Sequence, residues 1–337
     1  MLRMRPHTLL AAAVMLAGIF SLAGTAQEGP SFRSGVELIN VTATVTDGDG
    51  RFVSGLRRDD FIVYEDGEAQ EIAHFSNERV PVSLGIALDA SGSMTADKMS
   101  SARAAIDRFI YDLLGPDDEL FFLQFASRPD VIQEWTRDRR AISRAVGRVS
   151  PAGGTALYDA IADALPLASI GEHPKKSLLV ISDGNDTSSR TSPGELRKMI
   201  RESEVLVYAL GVDGVQQMSR RRPTTRVPVP LPFPIPGRGP GRRLPPIIGG
   251  NPIGRTAERV NADALHDITD DTGGRTEILR RFGDLDAATA RLADELSKQY
   301  SLGYVSPGQR DGRWHTIRVE VKDRRLAVRA RKGYIAS

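Results

Sequence analysis

A run of apolar residues that ends abruptly in oxygen-bearing side chains places the strongest constraint on this chain. Residues 82–88 are apolar or small and predict a short buried strand. Asp89, Ser91 and Ser93 leave the end of that strand at alternate positions, and Gly92 gives the backbone room to turn. A tight loop of this kind turns three side-chain oxygens toward one point. Oxygen ligands grouped in this way suit a hard divalent cation.

Two later stretches supply further oxygen atoms in a similar setting. Thr155 follows a glycine pair and precedes a predicted helix, and Asp183 follows a second apolar run at residues 177–182. One Asp-x-Ser-x-Ser sequence alone is common in turns, whereas three motifs in this order are specific. The five residues resemble the metal-ion-dependent adhesion site of von Willebrand factor type A domains, and all five positions match: Asp89, Ser91, Ser93, Thr155 and Asp183.

The order of predicted elements indicates the fold class. From residue 82 onward, apolar strands alternate with amphipathic helices, which is the pattern of an open α/β sheet. The prediction is a doubly wound, mostly parallel six-stranded sheet over residues 80–300, of the Rossmann-like type that the resemblance implies. The family's strand order places Asp89 and Asp183 side by side at the edge where such sheets bind ligands. The predicted strands are 82–88, 119–125, 131–135, 177–182, 205–211 and 276–279, and the predicted helices are 99–114, 157–168, 193–203, 262–272 and 285–298.

The segments before and after the predicted α/β sheet predict strands of another kind. Residues 31–79 and 301–337 alternate apolar and polar side chains between turns. Within the first segment, residues 61–64 turn at 65–68 and return at 72–75. We expect the two segments to pair into one β-sandwich-like domain that flanks the sheet. This order of segments, with Glu65-Asp66-Gly67 in the first, also resembles bacterial exported proteins that carry a related A domain.

The first 26 residues predict a secretory signal peptide. Two arginines precede an apolar segment at residues 9–20, and small residues at 24–26 suit cleavage before Gln27. The alternative is an uncleaved anchor, because residues 9–26 are barely long enough to span a bilayer, and a membrane would be a partner only in that case. The chain has no cysteine, so it has no lipoprotein acylation site and no disulfide. We therefore expect an exported protein that is periplasmic, secreted or on the cell surface.

Residues 219–255 interrupt the α/β pattern. They hold eight arginines and no acidic residue, and prolines alternate with apolar residues at 227–236. Such a segment forms neither a helix nor a central strand, because every second residue lacks an amide proton. It is interpreted as a basic polyproline loop inserted in the A domain. It is either a solvated linker or a docking arm for an acidic partner.

The resemblance implies metal-dependent protein binding. The predicted ligands are mostly neutral hydroxyls with one direct carboxylate, because Asp183 usually reaches the ion through water in the family. An ion so held keeps residual positive charge, and an Asp or Glu carboxylate of a protein partner can complete its coordination. Mg²⁺ is the first choice, with Mn²⁺ or Ca²⁺ as alternatives. The formal net charge of +2 gives no reason to expect a nucleic-acid partner.

Two other classes of function remain open at this stage. A metal-dependent hydrolase or phosphatase could use Asp89 as its nucleophile, but haloacid-dehalogenase-like phosphatases need a second aspartate where Ser91 stands. No phosphate-binding loop, nucleophile elbow or His-Glu-x-x-His motif is present, and the five histidines are scattered, so we expect no catalytic residue. The third class is a structural envelope domain that retains the site without using it.

The insert gives the first testable prediction. Because residues 219–254 contribute no periodic apolar face, their deletion should leave the fold and metal binding intact. Circular dichroism and metal titration of the deletion variant measure both properties. A collapse of the spectrum would show that the insert packs against the domain, and salt-sensitive partner binding that needs the insert would favour the docking arm.

Overall fold

The computed structural model describes residues 38–213, 260–281, 284–307 and 311–336. The expected signal peptide at 1–26 and the arginine-proline insert at 219–255 lie outside these ranges. The strands are β1 (Leu38–Thr46), β2 (Phe61–Glu65), β3 (Glu68–Gln70), β4 (Ile72–Ser76), β5 (Val82–Asp89), β6 (Glu119–Phe125), β7 (Pro129–Thr136), β8 (Lys175–Ser182), β9 (Leu206–Val212), β10 (Thr276–Leu279), β11 (Tyr300–Val305), β12 (Trp314–Val321), β13 (Ala327–Ala330) and β14 (Gly333–Ile335).

Along the chain, most of the helices connect successive strands of the central sheet. A single 3-10 turn at Arg58–Asp60 precedes β2, and a π-helical turn at Phe109–Leu113 continues the first α-helix. Within the described ranges, no helix is both long and apolar enough to cross a bilayer. The α-helices are α1 (Ala96–Arg108), α2 (Arg139–Gly147), α3 (Leu157–Ser169), α4 (Pro193–Glu202), α5 (Ala262–Thr269) and α6 (Leu285–Ser297).

The central sheet has six strands in the order β10-β9-β8-β5-β6-β7. All neighbours are parallel except β7, which runs antiparallel to β6 at one edge. One apolar core joins α1, α2 and α6 to one face of the sheet, and a second core joins α3, α4 and α5 to the other. The predicted doubly wound, mostly parallel sheet is therefore confirmed. Since both faces are covered, β5 is buried along its whole length.

The terminal strands form two four-stranded antiparallel sheets that share one core. Their orders are β13-β1-β11-β4 and β14-β12-β2-β3, so each combines strands from both ends of the described chain. Apolar residues of both sheets pack together in a single cluster around Val41, Val63 and Tyr300. This arrangement confirms the predicted flanking β-sandwich-like domain. It also places the first and last described strands, β1 and β14, in the same flanking domain.

Three elements differ from the sequence-based expectation. The strand β2 forms a hairpin with β3, whereas the sequence predicted a return at residues 72–75. Those residues form β4, which pairs with β11 in the other sheet. The helix α2 was not predicted, because its several arginines obscure the apolar face formed by Ile142, Ala145 and Val146. The three-residue strand β14 is too short to show alternation, and it forms only by pairing with β12.

The sandwich contacts the end of the central sheet where its parallel strands begin. Gln299, just after α6, donates from Nε2 to Tyr208 Oη at 2.7 Å and to Thr44 Oγ1 at 3.2 Å. Asp271, just after α5, accepts hydrogen bonds from Lys332 at 3.1 Å and from Arg201 at 2.8 Å. In an α/β sheet, helices end where the next strands begin. The opposite end of the sheet, where the parallel strands terminate, is consequently free of these contacts.

His315 links acidic residues at one end of the sandwich. Its Nδ1 atom lies 2.8 Å from Asp66 Oδ2 and 3.6 Å from Glu65 Oε1, and its Nε2 atom lies 3.2 Å from Asp311 Oδ1. Its ring stacks on Tyr334 at 5.5 Å between centroids. Partial burial lowers the pKa of His315, but the hydrogen bonds to Asp66 and Asp311 outweigh burial and raise it above the usual value.

The raised pKa of His315 predicts a pH dependence of stability. The folded state favours the protonated imidazole, so its contribution is complete below the pKa of an ordinary histidine, about 6.5. The contribution is lost as the pH rises through the higher folded pKa. The free energy of urea unfolding should therefore differ most between wild type and His315→Gln at about pH 5.5, and less at about pH 9. A difference that is the same at both pH values would contradict the assignment.

Candidate functional site

The first site loop follows directly from the buried strand β5. Asp89 is the last residue of that strand and its side chain is fully buried. Its Oδ1 atom accepts a hydrogen bond from the backbone N–H of Ser91 at 2.8 Å, and its Oδ2 atom accepts one from Ser182 Oγ at 2.6 Å. Ser91 Oγ and Ser93 Oγ lie 2.9 Å apart. The two hydroxyls predicted to be ligands therefore meet beside the carboxylate.

Backbone hydrogen bonds fasten the Thr155 loop to the first loop. The N–H of Gly92 donates to Gly153 O at 3.0 Å, and the N–H of Ala152 donates to Ala90 O at 2.8 Å. Thr155 is buried, although it belongs to the loop that precedes α3. These bonds hold the stretch before α3 against the end of β5.

The loop after β8 completes the arrangement. The carbonyl oxygen of Thr155 accepts hydrogen bonds from the N–H groups of Thr187 at 2.8 Å and Ser188 at 2.9 Å, and the Thr155 N–H donates to Thr187 Oγ1 at 2.9 Å. Asp186 Oδ1 accepts from the N–H of Leu157 at 2.8 Å, at the start of α3. The loop that begins at Asp183 therefore positions the backbone on both sides of Thr155.

Gly184 allows the chain to turn away immediately after Asp183. Its φ is +76°, and a Cβ atom there would lie 2.6 Å from the carbonyl oxygen of Asn261. The N–H of Asn261 donates in turn to Asp183 O at 2.7 Å. A larger residue at 184 would both strain the backbone and push away the start of α5.

Asp183 has a buried lysine as its partner. Lys98 reaches from α1, and its Nζ atom lies 2.9 Å from Asp183 Oδ2. The other oxygen, Oδ1, accepts from the backbone N–H of Asn185 at 3.2 Å and from Asn185 Nδ2 at 3.3 Å. Lys98 is 1 % exposed and Asp183 is fully buried, so this ion pair is screened from water.

The two site carboxylates influence each other. The strands β5 and β8 are neighbours, and both acids follow at the same edge. Burial raises the pKa of Asp89, the hydrogen bonds from Ser182 and Ser91 oppose that rise, and the charge of Asp183 adds to it. A bound cation at this end of the sheet would oppose the rise in the pKa of Asp89, because it favours the ionised carboxylate.

The donor chemistry of this region fits a hard divalent cation. The side chains offer only oxygen atoms: two carboxylates and three hydroxyls, at the end of β5 and on loops that hydrogen bonds join at one end of the sheet. Proteins bind Mg²⁺ and Ca²⁺ through such oxygens, whereas softer ions favour nitrogen and sulfur. We call the set Asp89, Ser91, Ser93, Thr155 and Asp183 the candidate metal site.

Sequence reasoning missed three residues that support the candidate metal site. Ser182 directly precedes Asp183, and a hydroxyl at the buried end of a strand was a usable signal. Lys98 lies one turn before Ala102 on the buried face of α1, where a lysine interrupts an otherwise apolar stripe. Asp186 carried no signal, because its partners in α3 lie about thirty residues earlier in the chain.

A separate group in the described ranges, Glu65, Asp66 and His315, also has potential ligand atoms close together.

Comparison with known proteins finds a family match within the α/β part of the chain. Residues 84–185 match the family described as the von Willebrand factor type A domain. The matched stretch runs from β5 to the loop after Asp183, so it includes every residue of the candidate metal site. The six-stranded sheet with its helices has the von Willebrand factor type A fold, and the two antiparallel sheets flank it.

Two curated proteins share part of the sequence. An uncharacterized protein of Synechocystis sp. is 27% identical over 139 residues, which are 40% of this chain and 33% of that protein. The inter alpha-trypsin inhibitor heavy chain 4 of Mus musculus is 25% identical over 158 residues, which are 42% of this chain and 17% of that protein. The similarity therefore spans a third or less of the length of these relatives.

Several solved structures are similar at lower identity. The protein BatB from Bacteroides thetaiotaomicron is 21% identical with a TM-score of 0.44, covering 64% of this chain and 98% of that one. A von Willebrand factor type A protein from Catenulispora acidiphila is 16% identical with a TM-score of 0.46, covering 89% and 73%. Proximal thread matrix protein 1 from the mussel byssus, solved with zinc in its adhesion motif, is 15% identical with a TM-score of 0.46, covering 69% and 49%.

Proposed function

We propose that this chain is an exported binding module that captures a partner protein through a divalent cation. The candidate metal site holds the cation, directly or through water, and an Asp or Glu carboxylate of the partner completes its coordination. One observation carries the proposal: two fully buried carboxylates follow adjacent parallel strands, and their loops are hydrogen-bonded to the loop that carries Thr155. This edge of the sheet is the place where open α/β sheets bind ligands.

The donor set supports an ion that stays electrophilic. Neutral hydroxyls offset less of a divalent charge than carboxylates do, and Asp183 already shares one oxygen with Lys98. The ion therefore keeps positive charge that an external carboxylate can neutralise. Mg²⁺ is the first candidate because it favours oxygen ligands and binds through few carboxylates, and Mn²⁺ or Ca²⁺ are the alternatives.

The class of domain points the same way. Von Willebrand factor type A domains are mainly adhesion or interaction modules, and they generally bind protein partners through a divalent cation.

Export rests on the signal peptide predicted at residues 1–26. The boundaries proposed for the chain are a β segment at 31–79, the A domain at 80–300 and a second β segment at 301–337.

The geometry offers less support for a hydrolase that uses Asp89. Both oxygens of Asp89 accept hydrogen bonds, which lowers their reactivity as nucleophiles. The N–H of His173 donates to Ser83 Oγ, so this histidine lies at the beginning of β5, opposite the site. His74 and His315 belong to the flanking strands β4 and β12. Among the described histidines, only His266 in α5 belongs to a helix that begins near Asp183.

The metal itself is tested by titration. Isothermal titration of Mg²⁺ and Mn²⁺ should show one site in the wild type and little binding in Asp89→Ala, while Asp97→Ala, an exposed acid in the first turn of α1, should bind normally. A free ion at a hundred times its Kd stabilises the fold by about 2.7 kcal/mol, so EDTA should lower the Tm of the wild type. Equal binding by wild type and Asp89→Ala would rule out the assigned ligands.

Capture of a carboxylate is tested with peptides. A displayed library of random peptides, selected on immobilised protein in Mg²⁺, should become enriched in Asp or Glu at one position. Replacement of that residue by Asn or Gln in a selected peptide should abolish binding, as should EDTA and Asp89→Ala. Thr155→Ala should weaken binding, because it removes a hydroxyl of the candidate metal site. Binding that survives EDTA and both substitutions would move the partner surface elsewhere, with the flanking sandwich examined next.

A further inference from the structure

A buried ion pair joins one predicted ligand of the candidate metal site, Asp183, to a lysine that is not a predicted ligand. Lys98 Nζ and Asp183 Oδ2 are 2.9 Å apart, with side chains 1 % and 0 % exposed. A lysine is rarely buried to this extent, because removal of its charge from water is costly unless a partner compensates. Here the partner is itself a predicted ligand of the metal. The lysine and the metal therefore compete for the same carboxylate.

The position of Lys98 couples it to the first site loop. Ser93 is followed almost at once by α1, which Thr95 caps through the N–H of Lys98. The side chain then extends back toward the strand ends and reaches Asp183 across the sheet edge. The segment that supplies two hydroxyl ligands therefore also supplies an internal positive charge.

A charge count shows what this lysine changes. With both acids ionised, Asp89, Asp183 and Lys98 sum to one negative charge before an ion binds. A divalent ion brings the sum to one positive charge, which one carboxylate of a partner neutralises. Without the lysine, the same ion would make the site neutral and leave no charge to attract the partner's acid.

We propose that Lys98 is an affinity-setting residue: it holds Asp183 Oδ2 away from the metal, weakens metal binding, and leaves the metal-loaded site with a positive charge that one external carboxylate neutralises. This inference rests on the proposed function and deepens it, since it explains why the site demands an external acid. The geometry supports it on both oxygens of Asp183, because Asn185 engages Oδ1 while Lys98 engages Oδ2.

Lys98→Met tests the proposal with Mg²⁺ and Mn²⁺ alone. Removal of a buried positive charge next to the site should tighten metal binding by roughly tenfold or more. The variant should also melt at a lower temperature in EDTA, because Asp183 loses its partner, and saturating metal should raise its Tm further than it raises that of the wild type. Acetate should bind more weakly to the metal-loaded variant than to the metal-loaded wild type.

Lys175→Met is the matched control. Lys175 is also buried, and it is the first residue of β8. Asp183 follows the last residue of that strand, so the two residues lie roughly 25 Å apart along the strand direction. Its Nζ atom donates to the carbonyl oxygen of Leu296, at the far end of the sheet. This control should lose stability without a change in metal affinity, since its charge is distant from the candidate metal site.

A second pair of variants keeps the test decisive if Lys98→Met does not fold. Asp183→Asn retains the lysine and should bind metal much more weakly, whereas Asp183→Asn combined with Lys98→Met restores the wild-type charge and should recover most of the affinity. Unchanged or weaker binding in folded Lys98→Met, or no recovery in the double variant, would overturn the proposal and leave the ion pair purely structural. If the wild type itself binds no metal, the proposed function fails, which is a separate result.

Discussion

The parallel pairing of β5 with β8 is the interaction on which the rest of the structure depends. Its register runs from Val82 opposite Lys175 to Leu88 opposite Ile181, so the residues after both strands emerge at one edge. Amphipathic helices cover both faces of this pair, so the two strands are held between two apolar cores. The Ser182 to Asp89 hydrogen bond then joins the strand ends directly.

The flanking sandwich leaves this edge available. Its contacts with the central sheet fall where the helices end and the parallel strands begin, through Gln299, Asp271 and their partners. The chain enters the central sheet from β4 and leaves it from α6 into β11, and β4 and β11 pair with each other. Entry and exit are thus held together at one end of the domain. The candidate metal site, where we propose that a partner binds, lies at the opposite end of the sheet.

Local patterns in the sequence, together with the resemblance to a known family, were sufficient for the main architecture. Alternating strands and helices predicted the six-stranded sheet, and the polar residues at two strand ends indicated where ligands would lie. The sequence was insufficient where a contact joins residues far apart, as for Lys98 with Asp183 or Asp186 with Leu157. Short or charged elements were also missed, because α2 hides its apolar face among arginines and β14 forms only against β12.

Burial makes the charge of the candidate metal site a property of the fold as a whole. A carboxylate in water can attract a cation at little cost, but Asp89 and Asp183 have no solvent contact, so their charges must be balanced by neighbouring groups. Ser182 on β8 stabilises Asp89 with a hydrogen bond, and Lys98 on α1 supplies a positive charge to Asp183. The fold therefore tolerates the site without metal, because one lysine removes half of the buried negative charge. In the proposed function, the same lysine keeps a divalent ion from being neutralised internally, which distinguishes a site open to a partner from a closed structural one.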